Sequence, residues 1–329
     1  MTIEKILSLE ERKALIEEEI NGERLKEEMI RKAEDYARDY RNYLMDSQIT
    51  DALKVGKDTD GGYLVPDEME ESIVEGIKEA NVIRKVATTL STKGKHLING
   101  VNDKPAALWV DEGGQLTFGE ACFNQVYLTA HKNGCILQVS EELIEDSAFD
   151  IEEYIARVAG EAIGELEEEA FINGNSENKP RGFLLDAEVG IETAEITGDI
   201  IRDLFSSLRA PYRQKAVWIM NEAAEAAVRK IKTADGRPIW EQGMDKEMSD
   251  MLLGRPVYTA KAMPEPVAGN CPIAFGDFSY YWIGDRGKRS VKRLNELYAD
   301  RGLIGFRVTH RVDGRLVLPE AVKTLKISA

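Results

Sequence analysis

The chain has 329 residues, 43% hydrophobic and 31% charged, with a formal net charge of -16 that argues against a dedicated nucleic-acid binder, whose footprint is a basic domain. Its length exceeds one ordinary compact core, so two domains, or one domain with extensions, are expected. Three scattered cysteines, Cys122, Cys135 and Cys271, lack CxxC spacing, which excludes a disulfide framework or zinc site and points to synthesis in a reducing cytoplasm.

No apolar run approaches the ~20 residues of a membrane span, and the opening MTIEKILSLEERK does not read as a signal peptide. Residues 1–46 are densely charged, with Ile16, Ile20, Leu25, Met29, Ala33, Tyr36, Tyr40 and Leu44 near a helical or coiled-coil period. One or two surface helices are expected there, followed by a polar linker, DSQITDALKVGKDTDGG. The first sixty residues thus read as an appendage. It is either a solvated helical extension or an assembly segment that organises many copies and is later removed or rearranged.

Gly61 to Pro66 opens a new section, with Met69, Ile73, Ile77 and Ala80 on one face of a short helix. VIRKVATTLST then reads as a β-branched strand. From Lys93 to Lys132 glycines separate short segments, and alternation at Phe123, Val126, Leu128 and Ala130 suits a two-stranded ribbon. Such a ribbon cannot stand alone in water, so another subunit is its natural support.

The stretch from Ser140 to Phe183 dominates the pattern. Ile151, Tyr154, Ile155, Val158, Ala162, Ile163, Leu166 and Ala170 recur at helical spacing. Asp150 is the expected N-cap, Glu153 completes a capping box, and Asn173-Gly174 supplies a left-handed stop. Glu152, Glu161, Glu165, Glu167, Glu168 and Glu169 crowd the other face, which is read as solvated because contiguous carboxylates fan around a helix instead of converging on a metal or an acid–base pair.

Next, GDIIRDLFSSLRAPYRQ predicts a helix ending before Pro211, AVWIM a buried strand, and Asn221 the cap of EAAEAAVRKIK. Asp235 to Pro238 makes a turn, and LLGRPVYTA, PIAFGDFSYYWIGDR and RSVKRLNELY supply further strands. The final GLIGFRVTHRVDGRLVLPEAVKTLKI predicts two strands turning at Asp313-Gly314. Helices and strands without regular βαβ alternation indicate an α+β fold.

Catalytic chemistry is sought without success. His96, His131 and His310 form no HExxH or His-x-His pattern and read as surface or packing residues. Gly284 to Ser290 fails the Walker spacing, and there is no GxGxxG or GxSxG. Arg286, Lys288, Arg289, Lys292 and Arg293 form a basic patch that pairs with acidic neighbours across an interface or touches the phosphates of a polymer held nearby.

The succession GGYLVPDEM (61–69), ALWVDEGG (107–114), VSEELIEDS (139–147), AFINGNSENKPRGF (170–183), DGRPIW (235–240), LLGRPV (252–257) and the closing FRVTHRVDGRLVLPEAVKTLK resembles, in order and spacing, the major capsid proteins of tailed double-stranded-DNA phages, typified by phage Hong Kong 97. The resemblance covers Gly61 to Ala329. It implies a helical extension at 1–60 in a scaffold-like position, an N-terminal arm and start of the peripheral domain at 61–92, and an extended hairpin loop at 93–133. A peripheral domain with a long spine helix follows at 134–210, an axial domain at 211–299, and return strands of the peripheral domain at 300–329.

The function implied is a structural head protein, not an enzyme, that self-assembles as pentamers and hexamers into the icosahedral shell enclosing a phage or prophage genome. An encapsulin-type compartment holding a cargo enzyme remains the alternative. Implied partners are other copies of the chain, a portal, a maturation protease, decoration proteins, and packaged double-stranded DNA through weak non-specific contact. No membrane, metal or cofactor is implied. The implied location is the virion capsid, assembled in the cytoplasm of a bacterial host.

Some relatives join a hairpin lysine to a neighbour's asparagine as an isopeptide, which needs a neutral, desolvated lysine. Here the candidates are Lys93, Lys95, Lys104 and Lys132 with Asn295, near Glu296 and Asp300. Gly94 and Asn102-Asp103 surround these amines with polar chain, so no cross-link is expected.

Overall fold

The computed structural model describes residues 9–55, 63–92, 96–101, 123–145, 150–232, 236–243 and 249–328. Its contacts define two compact units, one from Met1–Glu71, Ile136–Ala156 and Ser290–Val308, the other from Ser72–Cys135, Arg157–Arg289 and Thr309–Ala329.

In the first unit the charged N-terminal pattern is a single helix, Leu9–Asp46, with a short helix Asp51–Val55 after it. Tyr40, Tyr43 and Leu44 are buried, and the Tyr43 ring meets Tyr63 edge-on at 4.6 Å. Strand Tyr63–Leu64 pairs antiparallel with Ser290 and Val291. Asp150 caps the long helix Ile151–Asn173, which stands where the spine helix is expected, its Oδ1 accepting from the amides of Glu152 at 3.0 Å and Glu153 at 3.2 Å.

The second unit carries a seven-stranded sheet in the order Glu188–Thr193, Val322–Ile327, Ile273–Gly276, Val217–Met220, Arg255–Thr259, Met251–Leu252, Trp240–Glu241. Val217–Met220 lies in the middle because VWIM is apolar on both faces, and three of its four residues are buried. Trp218 stacks on Phe275 at 4.1 Å and donates from Nε1 to the Leu252 carbonyl, so the polar edge of the indole is satisfied inside the core. Helix Glu222–Arg229 starts where sequence places it, with Asn221 Oδ1 accepting from the Ala223 amide.

A second set of strands in this unit pairs Thr88–Thr92 in parallel, and the Val312 to Leu316 stretch antiparallel, with Tyr281–Arg286. His96–Val101 and Phe123–Leu128 form the expected two-stranded ribbon. The intervening residues, the ALWVDEGG motif, Lys93, Lys95 and Lys104 lie outside the described residues.

Several expectations are corrected. Val82–Val86 is a helical turn rather than strand, because Asn81 Oδ1 accepts from the Arg84 amide and caps it; the strand begins only at Thr88. Helix Gly198–Ser207 does end before Pro211 as expected, and Pro211 sits in the first turn of a separate short helix, Ala210–Arg213. Gly174 is not left-handed. Glycine is required for space, because a Cβ there would collide with the Pro180 and Ala170 carbonyl oxygens.

Asp313-Gly314 is not a turn either. Strand Leu303–Leu316 runs through it, and the break before the last strand, Val322–Ile327, falls at Pro319–Ala321. Glycine is needed here for space, since a Cβ would stand 2.6 Å from Tyr281 Oη and 2.9 Å from Phe171 Cδ1. On the spine helix Glu167 and Glu168 are 1% and 6% exposed, whereas Leu166 is 49% exposed, so the solvated-face reading fails for those two carboxylates.

Candidate functional site

The buried face of the spine helix carries a charge hub inside the second unit. Arg84 donates from Nε to Glu167 Oε2 at 2.6 Å and from both terminal nitrogens to the two oxygens of Asp285 at 2.9 and 2.8 Å. Phe171 lies under the guanidinium, 5.8 Å away. Asn133 donates to the other Glu167 oxygen at 2.9 Å, and the fully buried His310 ring lies 3.8 Å from Glu167 and 3.9 Å from Asp285.

Isolated charges at such depth would be prohibitively costly, and their mutual pairing keeps them ionised. Burial opposes the charge of Asp285, but the Arg84 guanidinium outweighs it and holds the carboxyl down at about 2. Glu167 is likewise depressed against its burial by Arg84 and by His310. Next to it, Glu168 accepts from the Val82 amide at 2.8 Å, yet burial pushes its carboxyl up.

The hub joins the spine helix to the strands on which the hairpin is rooted. Gly284, one residue before Asp285, pairs across the sheet with Asp313. Leu128, buried at the foot of the ribbon, rests on Gly284, where a Cβ would lie 3.0 Å from its Cδ1. Asp313 Oδ2 accepts from the Thr129 amide at 2.6 Å and hydroxyl at 3.1 Å, while Oδ1 accepts from the Gly314 amide and lies 3.7 Å from His131 Nε2. Burial raises the Asp313 carboxyl, the hydrogen bonds and His131 pulling the other way. The other foot, Thr92, donates to the Asp285 carbonyl.

Beside the spine helix an open groove of about 610 Å³ is lined by Glu79, Lys85, Glu161, Glu165 and Lys261 among others. Among the described residues no group of three or more His, Cys, Asp and Glu could hold a metal ion, and no helix is long and apolar enough to cross a membrane.

Two members of the basic patch are built into their own units. Arg289 is 2% exposed within the second unit. Arg293 in the first unit donates to the carbonyls of Leu44 and Met45, at the C-terminal end of helix Leu9–Asp46. Asn295 is engaged on both atoms, Oδ1 accepting from Arg293 Nε and Nδ2 donating to Ser47 Oγ, each at 2.8 Å. Of the three histidines, His310 belongs to the hub and His131 to the hairpin root; the His96 side chain lies outside the described residues. No local motif signals the hub, because Arg84, Glu167, Asp285 and His310 are spread over more than two hundred positions.

Long helix, paired ribbon and mixed sheets together make the fold of tailed-phage capsid subunits. The chain is similar to a capsid of the native GTA particle, with a TM-score of 0.64 and 27% identity over 87% of this chain and 96% of that one. The structure from Microbacterium phage Oxtober96 gives 0.57 at 18% identity over 75% and 91%. The model of the Phage capsid family matches residues 61–327, and the chain belongs to that family. A curated major capsid protein of Klebsiella oxytoca phage phiKO2 is 23% identical over 282 residues, 78% of this chain; the match spans 63% of that relative's length.

Proposed function

We propose that this protein is the major capsid subunit of a tailed phage or prophage and builds a closed icosahedral shell from pentamers and hexamers of itself. The observation that carries this reading is the family match over 61–327 together with the likeness to a GTA capsid over 96% of that chain. A physical argument supports it independently, because the ribbon His96–Val101 with Phe123–Leu128 is two strands wide and needs a further surface to be stable.

The work of such a subunit is self-association through many modest contacts, not turnover of a substrate. Interfaces of about 1,600 Å² repeated around a ring suffice without a single tight site. Portal, maturation protease and decoration proteins, weak contact with packaged DNA, and assembly in a host cytoplasm belong to the same reading. The test is electron microscopy and sedimentation of the expressed full chain. Closed particles are expected. Monomers at all salt and protein concentrations would refute the proposal, and particles that co-purify with an enzyme cargo would favour an encapsulin-type compartment.

A further inference from the structure

Helix Leu9–Asp46 is continuous, but its middle and its C-terminal end have different surroundings. Leu25, Met29 and Ile30 are 62%, 71% and 59% exposed, and every residue from Met29 to Glu34 is exposed. From Tyr36 onward the same helix becomes core. Tyr36 donates to the Leu64 carbonyl at 2.8 Å, Tyr40 and Leu44 are fully buried, and Tyr43 packs on Tyr63.

The end of the helix is locked by residues far along the chain. The Arg293 amide donates to Tyr43 Oη at 2.8 Å, and its guanidinium caps the open carbonyls of Leu44 and Met45. Asn295 holds Ser47, and Thr50 donates to Asp39 at 2.8 Å, so the chain just past the helix is folded back and tied to it. Arg41 adds ion pairs to Asp150 at 3.6 Å and Glu152 at 3.4 Å. Removing this segment would leave the buried Tyr63 without the Tyr43 ring that packs on it.

We infer that Tyr36 to Ser47 is a permanent part of the folded subunit, and that the boundary of any removable leader lies in the exposed stretch from Met29 to Asp35 rather than in the polar passage at 47–62. Hydrolysis of a peptide bond by water in a protease site requires an extended, locally unfolded substrate. Between Met29 and Glu34 the side chains are exposed and bury no core that would resist that unfolding; from Tyr36 to Ser47 the aromatic cluster must open first.

The inference does not depend on shell formation, and its test uses the soluble full chain. Limited digestion with subtilisin, followed by N-terminal sequencing, is expected to leave a resistant core beginning between residues 29 and 36. A resistant core that begins at residue 48 or later overturns it. The double variant Tyr40→Ala with Arg293→Ala should speed cleavage within 36–47 at least tenfold while the 188–229 stretch of the second unit stays resistant; an unchanged rate also overturns it. Where particles form, intact masses of their subunits starting at residues 48–62 would overturn it as well.

Discussion

Arg84 and Asp285 meet end-on, Nη1 2.9 Å from Oδ2 and Nη2 2.8 Å from Oδ1, across 201 positions of sequence. The same guanidinium reaches Glu167 at 2.6 Å, so one side chain pairs with two carboxylates at once. Arg84→Ala strands both and should cost about 3–5 kcal/mol, a large share of the ~5–15 kcal/mol that holds a domain together. Arg84→Lys should recover little, because an ammonium cannot bridge Asp285 with two parallel bonds. Urea unfolding reads this directly; a midpoint within error of the parent protein would mean the hub is not structural.

The hub also sets an acid limit. Glu167 and Asp285 are both depressed in the folded chain, so their stabilisation is complete above the ordinary carboxylate range near ~4 and is lost as pH falls through the folded value, about 2 for Asp285. Glu168 and Asp313 are raised by burial and act with the opposite sign, gaining relative stability on acidification. The parent protein should therefore lose thermal stability between pH 4 and pH 2 more steeply than Arg84→Met, in which the pairing is already gone. Parallel curves for the two proteins would contradict the assignment.

Asp313 holds the foot of the ribbon through Thr129. Hydrogen bonds to a charged acceptor contribute about 1.5–3 kcal/mol, so Asp313→Ala should speed exchange of the Thr129 amide by roughly 10- to 100-fold. Amides of Val217–Met220, in the other sheet, should keep their protection. Equal protection at Thr129 in both proteins would show that Leu128 on Gly284 fixes the ribbon unaided.

Gly314→Val forces a branched side chain into the space that Tyr281 and Phe171 occupy. Overpacking of this kind costs about 1–3 kcal/mol, seen as a lowered thermal midpoint. If Asp313-Gly314 were a surface turn, the substitution would be close to neutral.

Denaturing gels of assembled protein should show one band near the chain mass of 36.8 kDa. Asn295 already uses its amide to bind Ser47 and Arg293. A ladder of covalent multimers that disappears in Asn295→Ala would reverse that expectation and make the residue an isopeptide acceptor.

Short-range features were legible in the amino-acid order. Asp150 and Asn221 cap their helices because an N-cap needs only a side-chain oxygen and the next two or three amides. The α+β class and the ribbon followed from period and turn residues. Asp313-Gly314 misled because the dipeptide favours turns locally, while Tyr281 and Phe171 claim the missing Cβ from 33 and 143 positions upstream. The acidic run misled for a related reason. A helical wheel separates faces but does not say that Arg84 waits against one of them, and that partner decides whether Glu167 is solvated or buried.

The Arg293–Tyr43 contact spans 250 positions. A ribosome adding about 5–20 residues per second covers that distance in roughly 12–50 s. Throughout that interval the helix end around Tyr43 exists without the strand that seats it, and its tyrosines must wait for the Ser290–Leu294 strand to emerge. The first unit is therefore closed only once a segment 250 positions downstream of Tyr43 has been made. A polypeptide released early, before Arg293 is added, has no means of closing it.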